Sequence, residues 1–145
     1  MQLICKVGIY KIENKINKKV YIGQSINIEM RWKNHIRNYN LNKNKCKKVQ
    51  SDWNIYGKDN FEFKILELIN IDKLTKYDRN FLMTFREHYN MIKYNSIKEG
   101  YNDPDYFPKM RDRKEFNGII LPNNFYNNLD SLMDIEDIKN RITIL

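Results

Sequence analysis

Near its N-terminus the chain carries VGIYKIE at residues 7–13 and KVYIG at residues 19–23. Both segments are rich in β-branched and aromatic residues, which favour strands, and the turn-forming stretch NKINK at residues 14–18 separates them. The pattern predicts a β-hairpin with a longer loop. Such a hairpin sets Tyr10 and Tyr21 side by side.

Two glycines accompany the tyrosines at even spacing. Alternate residues of a strand share a face, so Gly8 lies on the side of Tyr10 and Gly23 on the side of Tyr21. We therefore expect each glycine to leave room for the tyrosine of its own strand.

The residues that follow predict three helices and one more strand. Residues 28–39 have the apolar spacing of a helix, with Ser25 and Asn27 as candidate caps. The spacing predicts a second helix over 46–56 that stops at Gly57, a strand over 61–69, and a longer helix to about residue 92, capped by Asp72.

Four polar residues occupy notable positions on these elements. Arg31 and His35 are four residues apart, so both project from one flank of the first helix, at the border between core and solvent. Glu87 lies on the last helix, and Asn102 follows Gly100 in a segment where irregular buried structure is expected.

Composition and charge point to an anionic partner. The chain has 145 residues with a formal net charge of +8, which favours a polyanionic partner, although a basic excess that only keeps a protein in solution is also common. Two cysteines without a Cys-x-x-Cys pair and two histidines exclude a zinc module and a disulfide framework. No apolar run is long enough to span a bilayer, so we expect no membrane association. We expect both thiols to be reduced in a cytosol, and the heavy use of Lys, Asn, Ile and Tyr indicates the A/T-rich genome of a bacterium or phage.

Taken in order, these residues resemble the motifs of the GIY-YIG nuclease family over roughly residues 5–102, most closely its intron-encoded and phage-borne branch. The motif residues are Gly8-Ile9-Tyr10, Tyr21-Ile22-Gly23, Arg31, His35, Glu87 and Asn102. The resemblance implies an α+β fold, with a three-stranded antiparallel sheet flanked by helices. It also implies divalent-metal-dependent hydrolysis of DNA to a 5′ phosphate and a 3′ hydroxyl.

The side-chain chemistry of each candidate catalytic residue suits one part of the reaction. Arg31 offers two parallel N–H donors to a phosphate, and Glu87 suits Mg²⁺ or Mn²⁺, since Mg²⁺ often takes only one protein carboxylate and would stabilise the leaving oxygen. Tyr10 is the candidate general base, helped by Arg31, the metal or His35, and Tyr21 would position the water or the phosphate. The sequence does not distinguish which tyrosine has which role, so the two roles could be exchanged. The resemblance implies that Asn102 orients Glu87 or an adjacent backbone group.

Other charged residues receive simpler interpretations. We expect His88 at the surface, and Glu62, Glu67 and Glu115 as solvated acids. Basic residues that would follow the DNA backbone without reading sequence are Lys11, Lys33, Arg37, Lys109, Arg111, Arg113 and Lys114.

The domain plan is a nuclease domain over 1–102 and a C-terminal extension over 103–145, which docks on the core, dimerises or contacts DNA. Three biological roles stay open: a homing-type enzyme of a phage or mobile element, a compact restriction-type enzyme that cuts as a homodimer, and a non-catalytic DNA-binding or anti-defence protein.

Overall fold

A computed structural model describes residues 5–103 and two short strands further along the chain. The elements are β1 (Gly8–Asn14), β2 (Val20–Ser25), α1 (Ile28–Asn40), α2 (Lys47–Tyr56), a 3-10 turn (Lys58–Asn60), β3 (Phe61–Leu68), α3 (Lys76–Lys93), β4 (Ile119–Ile120) and β5 (Thr143–Ile144). The predicted hairpin, third strand and three helices are all confirmed, and the fold class is α+β.

The first three strands form one antiparallel sheet in the order β2-β1-β3. Tyr10 pairs with Gly23 and Ile12 with Tyr21, so the two tyrosines lie diagonally on the same face of the hairpin, with ring centroids 6.4 Å apart. β2 is an edge strand. The strands β4 and β5 pair with each other, also antiparallel.

Each face of the sheet carries its own hydrophobic core. On one face Tyr10 and Ile12 pack with Tyr39 of α1 and Trp53 of α2. On the other face Ile9, Val20 and Ile22 pack against α3, through Phe81, Leu82, Phe85 and Met91. The domain is therefore a helix layer, a sheet and a second helix layer.

The segment after α3 covers the open edge of β2. The backbone N–H of Tyr101 donates to the Val20 carbonyl at 3.0 Å. The Asn102 side chain donates to the Ile22 carbonyl and accepts from the Ile22 N–H, both at 2.9 Å. Unpaired edge groups are thus satisfied by the chain itself. Gly100 makes this approach possible, because a Cβ there would lie 2.5 Å from the Val20 carbonyl oxygen.

The glycines of the two motifs have roles other than those expected. A Cβ at Gly23 would lie 2.5 Å from the hydroxyl oxygen of Tyr10, so Gly23 makes room for the tyrosine of the neighbouring strand and not for Tyr21. A Cβ at Gly8 would overlap the carbonyl oxygen of Glu67, so Gly8 makes room for the backbone of β3. The cross-strand register decides both contacts, and spacing within one strand does not reveal it.

Helix caps are partly as predicted. The Asn27 side chain accepts from the N–H of Met30 at 3.2 Å and caps α1, and Gly57 ends α2. The prediction that Asp72 caps α3 is wrong, because Thr75 does so through its hydroxyl, at 3.1 Å from the N–H of Asp78. Within the described ranges no helix has the length and hydropathy needed to cross a bilayer.

Replacing Gly100 by alanine tests the covered edge. Its Cβ would meet main-chain atoms that cannot turn away, so we expect a loss of about 2 kcal/mol in the free energy of unfolding, measured by urea titration. Lys98→Ala, at an exposed position of the same segment, is the control and should be nearly neutral. An unchanged stability of Gly100→Ala would mean that the segment does not pack on β2 in solution.

Candidate active site

Helix α1 carries two of the predicted site residues over the paired tyrosines. Arg31 lies in its first turns, and His35, one turn later, is buried at 7% exposure. The hydroxyl of Tyr10 lies 2.8 Å from Nε2 of His35. Arg31 interacts electrostatically with both phenols, and its charge acts to lower the pKa of each. The hairpin and the first helix thus bring four predicted residues together.

Tyr10 and His35 share one hydrogen bond, in which the tautomer of the imidazole decides whether the phenol O–H or the ring N–H donates. Burial, together with the nearby Arg31 charge, lowers the pKa of His35 to about 4, which keeps the ring neutral at ordinary pH.

Both phenols are held in their protonated form. Burial, reinforced by the neighbouring Tyr21, raises the pKa of Tyr10 well above its ordinary value, and the opposing effect of Arg31 is smaller. Burial and then the Glu87 charge raise the pKa of Tyr21. For Arg31 burial works in the opposite direction, yet the two phenols raise the pKa of the guanidinium. Neither tyrosine is a ready phenolate in the protein alone.

Glu87 reaches the same place from the other face of the sheet. It lies on α3, 5% exposed, and its Oε2 accepts a hydrogen bond from Nε2 of Gln24 at 2.9 Å. Gln24 extends from β2 on the face opposite Tyr21. A cleft of about 290 Å³ joins the two sides, and its walls consist of Tyr10, Tyr21, Gln24, Arg31, Asn80, Thr84 and Glu87.

Asn102 acts on the backbone rather than on the carboxylate. Its amide holds the main chain of Ile22, the central residue of the second motif, as described above. Asn102 also borders a neighbouring cavity of about 340 Å³ together with Tyr21 and Glu87. The structure thus brings all six predicted catalytic residues to the β2 edge of the sheet.

Sequence reasoning missed Gln24, Thr84 and Asn80. Gln24 immediately follows the second motif, and Thr84 lies one turn before Glu87, so their spacing from known site residues was the available signal. Nothing in the sequence alone shows that β2 and α3 meet there.

The described basic residues predicted to contact DNA lie away from the cleft. Lys11 is on the opposite face of β1 from Tyr10, and its ammonium pairs with Glu13 at 2.8 Å. Lys33 and Arg37 are exposed on α1, on the side of the helix roughly opposite Arg31. The remaining four, Lys109, Arg111, Arg113 and Lys114, are outside the described residues.

The predictions for His88 and Glu67 are wrong. His88 is fully buried and not a surface residue. Glu67 is not simply solvated, because Arg86 of α3 forms a two-point ion pair with its carboxylate, at 2.7 and 2.8 Å, and Asn90 donates to it at 2.6 Å. This pairing compensates the burial of Arg86 and ties α3 to β3.

The site fits a single divalent cation of the magnesium type. Among the described residues no three histidine, cysteine or acidic side chains cluster as metal ligands, so a site with many protein ligands is not present there. Glu87 does supply one hydrogen-bonded carboxylate on the wall of a cleft, and Mg²⁺ keeps several waters and often takes one or two carboxylates.

Comparison with known proteins agrees with this geometry. A profile described as the GIY-YIG catalytic domain matches residues 6–95. The chain belongs to the GIY-YIG family, and the relatives below associate it with the homing-type branch.

The similar proteins include a phage endonuclease and a solved homing endonuclease domain. Intron-associated endonuclease 1 of Enterobacteria phage T4 is 35% identical over 100 residues, which are 69% of this chain and 38% of that relative. The solved catalytic domain of homing endonuclease I-TevI shares 35% identity with a TM-score of 0.59, covering 68% of this chain and 98% of that one. A variant of the I-TevI domain with one glutamate replaced by alanine gives 34% identity, a TM-score of 0.58 and coverages of 67% and 92%.

The low pKa of His35 predicts acid sensitivity. The folded state keeps the ring neutral down to about pH 4, whereas the unfolded chain takes up a proton near pH 6.5. The stabilisation is therefore complete above pH 6.5 and is lost as the pH falls toward 4. Between pH 7 and 4.5 we expect wild type to lose about 2 kcal/mol more unfolding free energy than His35→Gln, measured by urea titration. Equal losses in the two proteins would contradict a buried neutral imidazole.

Proposed function

We propose that this chain is a divalent-metal-dependent DNA endonuclease that hydrolyses one phosphodiester per active site, leaving a 5′ phosphate and a 3′ hydroxyl. The observation that carries the proposal is the cleft in which Arg31 and two phenols face Glu87 across the β2 edge. Hydrolysis of a phosphodiester needs a cation for the phosphate oxygens, a proton acceptor for water and stabilisation of the leaving oxygen. The cleft offers a candidate for each need.

Arg31 holds the scissile phosphate in this proposal. Its guanidinium borders the cleft together with Tyr10 and Tyr21 and is the cation whose charge acts on both phenols. A guanidinium fork matches two phosphate oxygens, which the single ammonium of a lysine does not. Tyr21, partly exposed and bordering the cleft, positions the water or the phosphate.

Tyr10 acts as the general base through His35. A phenolate is disfavoured here, but the phenol need not ionise first. In this proposal His35 carries its proton on Nδ1, so the Tyr10 O–H donates to Nε2, 2.8 Å away. The attacking water passes a proton to the Tyr10 oxygen while Tyr10 passes its own proton to Nε2. The water oxygen forms the new bond to phosphorus as the bond to the 3′ oxygen breaks, and the 3′ oxygen takes a proton from solvent. The phosphate charge near His35 favours the imidazolium that results.

Glu87 holds the metal, Mg²⁺ or Mn²⁺, and Gln24 fixes the orientation of its carboxylate. When bound, the ion supplies charge stabilisation for the leaving 3′ oxygen. A neutral amide such as Gln24 orients the carboxylate without cancelling the negative charge that attracts the cation. Asn102 holds β2 so that Tyr21 and Gln24 keep their places on either side of it.

For the biological role, a homing-type enzyme of a phage or mobile element has the strongest support, because the relatives are an intron-associated endonuclease of a phage and a homing endonuclease domain. This role places the protein in the cytoplasm of a bacterial or phage-infected cell. The aligned part of this chain corresponds to 38% of the full-length phage relative. Residues 103–145 would add DNA contact, docking or dimerisation. A restriction-type homodimer is the second candidate, and it differs in giving linear product as protein concentration rises.

Nicking of supercoiled DNA with Mg²⁺ tests the chemistry. Glu87→Gln removes the charge without changing size, and we expect its rate to fall at least about 100-fold. Arg31→Lys keeps the charge but removes the fork, so a fall of about tenfold or more is expected. Glu62→Gln, an exposed acid on β3, is the matched control and should cut like wild type.

The same assay separates enzyme from binder. If Glu87→Gln and Arg31→Lys nick DNA as fast as wild type, this cleft is not the active site. If the wild-type protein binds DNA but never nicks it, a non-catalytic role replaces the enzyme.

A further inference from the structure

A second cavity, of about 320 Å³, adjoins the catalytic cleft on the α1 side of the sheet. Tyr21 and Arg31 border both spaces, so a strand whose phosphate lies at Arg31 has direct access to it. Beyond these two residues the walls come from the second half of α1, the loop before α2 and the first turn of α2, and they include Asn38, Asn44 and Lys45.

Two cavities bordered by Tyr21 differ in the charge of their walls. The second cavity has Arg31 and Lys45 on its walls, and none of its described lining residues is acidic. The neighbouring cavity of about 340 Å³, which Tyr21 also borders, has Glu87 and Asp103 on its walls, with a single lysine. A polyanionic strand that crosses the cleft therefore meets a basic space in one direction and an acidic space in the other.

The loop that forms the basic cavity is already ordered in the protein alone. The Asn44 side-chain oxygen accepts from the N–H of Cys46 at 2.8 Å, and the Asn44 N–H donates to Oε1 of Gln50 at 3.2 Å. Gln50 is buried and donates in turn to the Tyr39 carbonyl of α1 at 2.9 Å. Lys45 is thus presented from a fixed turn, so binding there costs little additional ordering.

The polarity of the cut strand decides which nucleotide occupies the basic cavity. In the proposed function, on which this step rests, Arg31 holds the phosphate and Glu87 lies on the side of the leaving 3′ oxygen. The nucleotide whose 3′ oxygen is the leaving group then lies toward Glu87, and the nucleotide that keeps the scissile phosphate lies on the opposite side. The basic cavity has Arg31 but not Glu87 on its walls, which assigns it to that side.

We propose that the cavity bordered by Asn38, Asn44 and Lys45 binds the first nucleotide on the 3′ side of the cut. Lys45 contacts the phosphate that follows this nucleotide, a contact that carries no sequence information. Asn38 contacts its base or sugar through a side-chain amide, which both donates and accepts hydrogen bonds. Asn44 contributes its amino group, since its oxygen is used in the turn.

Product inhibition of DNA nicking tests this polarity. The probes are two short oligonucleotides that represent the two products, one with a 5′ phosphate and one ending in a 3′ hydroxyl without a 5′ phosphate. For Lys45→Ala and for Asn38→Ala we expect the inhibition constant of the 5′-phosphorylated probe to rise roughly five- to tenfold. The constant of the 3′-hydroxyl probe should stay unchanged. Lys58→Ala, an exposed lysine away from both cavities, is the control and should alter neither constant.

The outcomes separate this inference from the proposed function. If wild type nicks DNA and Glu87→Gln does not, but Lys45→Ala and Asn38→Ala leave both constants unchanged or raise them equally, the active site stands and this subsite is wrong. An effect confined to the 3′-hydroxyl probe would reverse the polarity and also overturn the inference. If wild type does not nick DNA at all, the proposed function fails first.

Discussion

The two hydrogen bonds between the Asn102 amide and the main chain of Ile22 are the constraint on which the site depends. β2 is an edge strand, and its residues alternate between the two faces of the sheet. Tyr21 therefore faces the α1 layer, and Gln24 faces the α3 layer where it meets Glu87. A slip of β2 by one residue would exchange these faces and separate the guanidinium side of the site from the carboxylate side. Fixing Ile22 from outside the sheet prevents that slip.

The electrostatics of the site follow from this arrangement. Tyr10 and His35 are buried, and both phenols and the imidazole are neutral in the protein alone, which leaves Arg31 and Glu87 as the charged groups on the walls of the cleft. A bound phosphate would add negative charge beside Arg31, and a bound divalent cation would add positive charge beside Glu87. Each added charge shifts the pKa of its neighbours. The phenols and the imidazole, which are weak acids or bases in the protein alone, can then take part in proton transfer.

The features that the sequence predicted correctly depend on local spacing or on motifs in a fixed order along the chain. The hairpin, the helix with Arg31 and His35 and the stop at Gly57 depend on spacing and on turn chemistry within a few residues, and all are present. The convergence of Glu87 with the tyrosines was expected from the resemblance to the family.

The predictions that failed depend on contacts between distant segments. His88 and Glu67 look like ordinary polar residues, and only the packing of α3 on the sheet shows that one is buried and the other paired with Arg86. Gly23 opposes Tyr10 because of the strand register, and Gln24 reaches Glu87 across 63 positions of sequence. Residue propensity and hydrophobic periodicity describe local structure, so they do not predict contacts between distant segments.

The central claim is that a metal ion binds at Glu87, on the edge of β2 where the two layers meet. Adding substoichiometric Mn²⁺ to isotope-labelled protein and recording the broadening of amide NMR signals locates the ion even when binding is weak. The account predicts the strongest broadening at Gln24, Thr84 and Glu87, and its loss in Glu87→Gln. Broadening centred on exposed acids such as Glu62 or Asp72, and unchanged in Glu87→Gln, would contradict it.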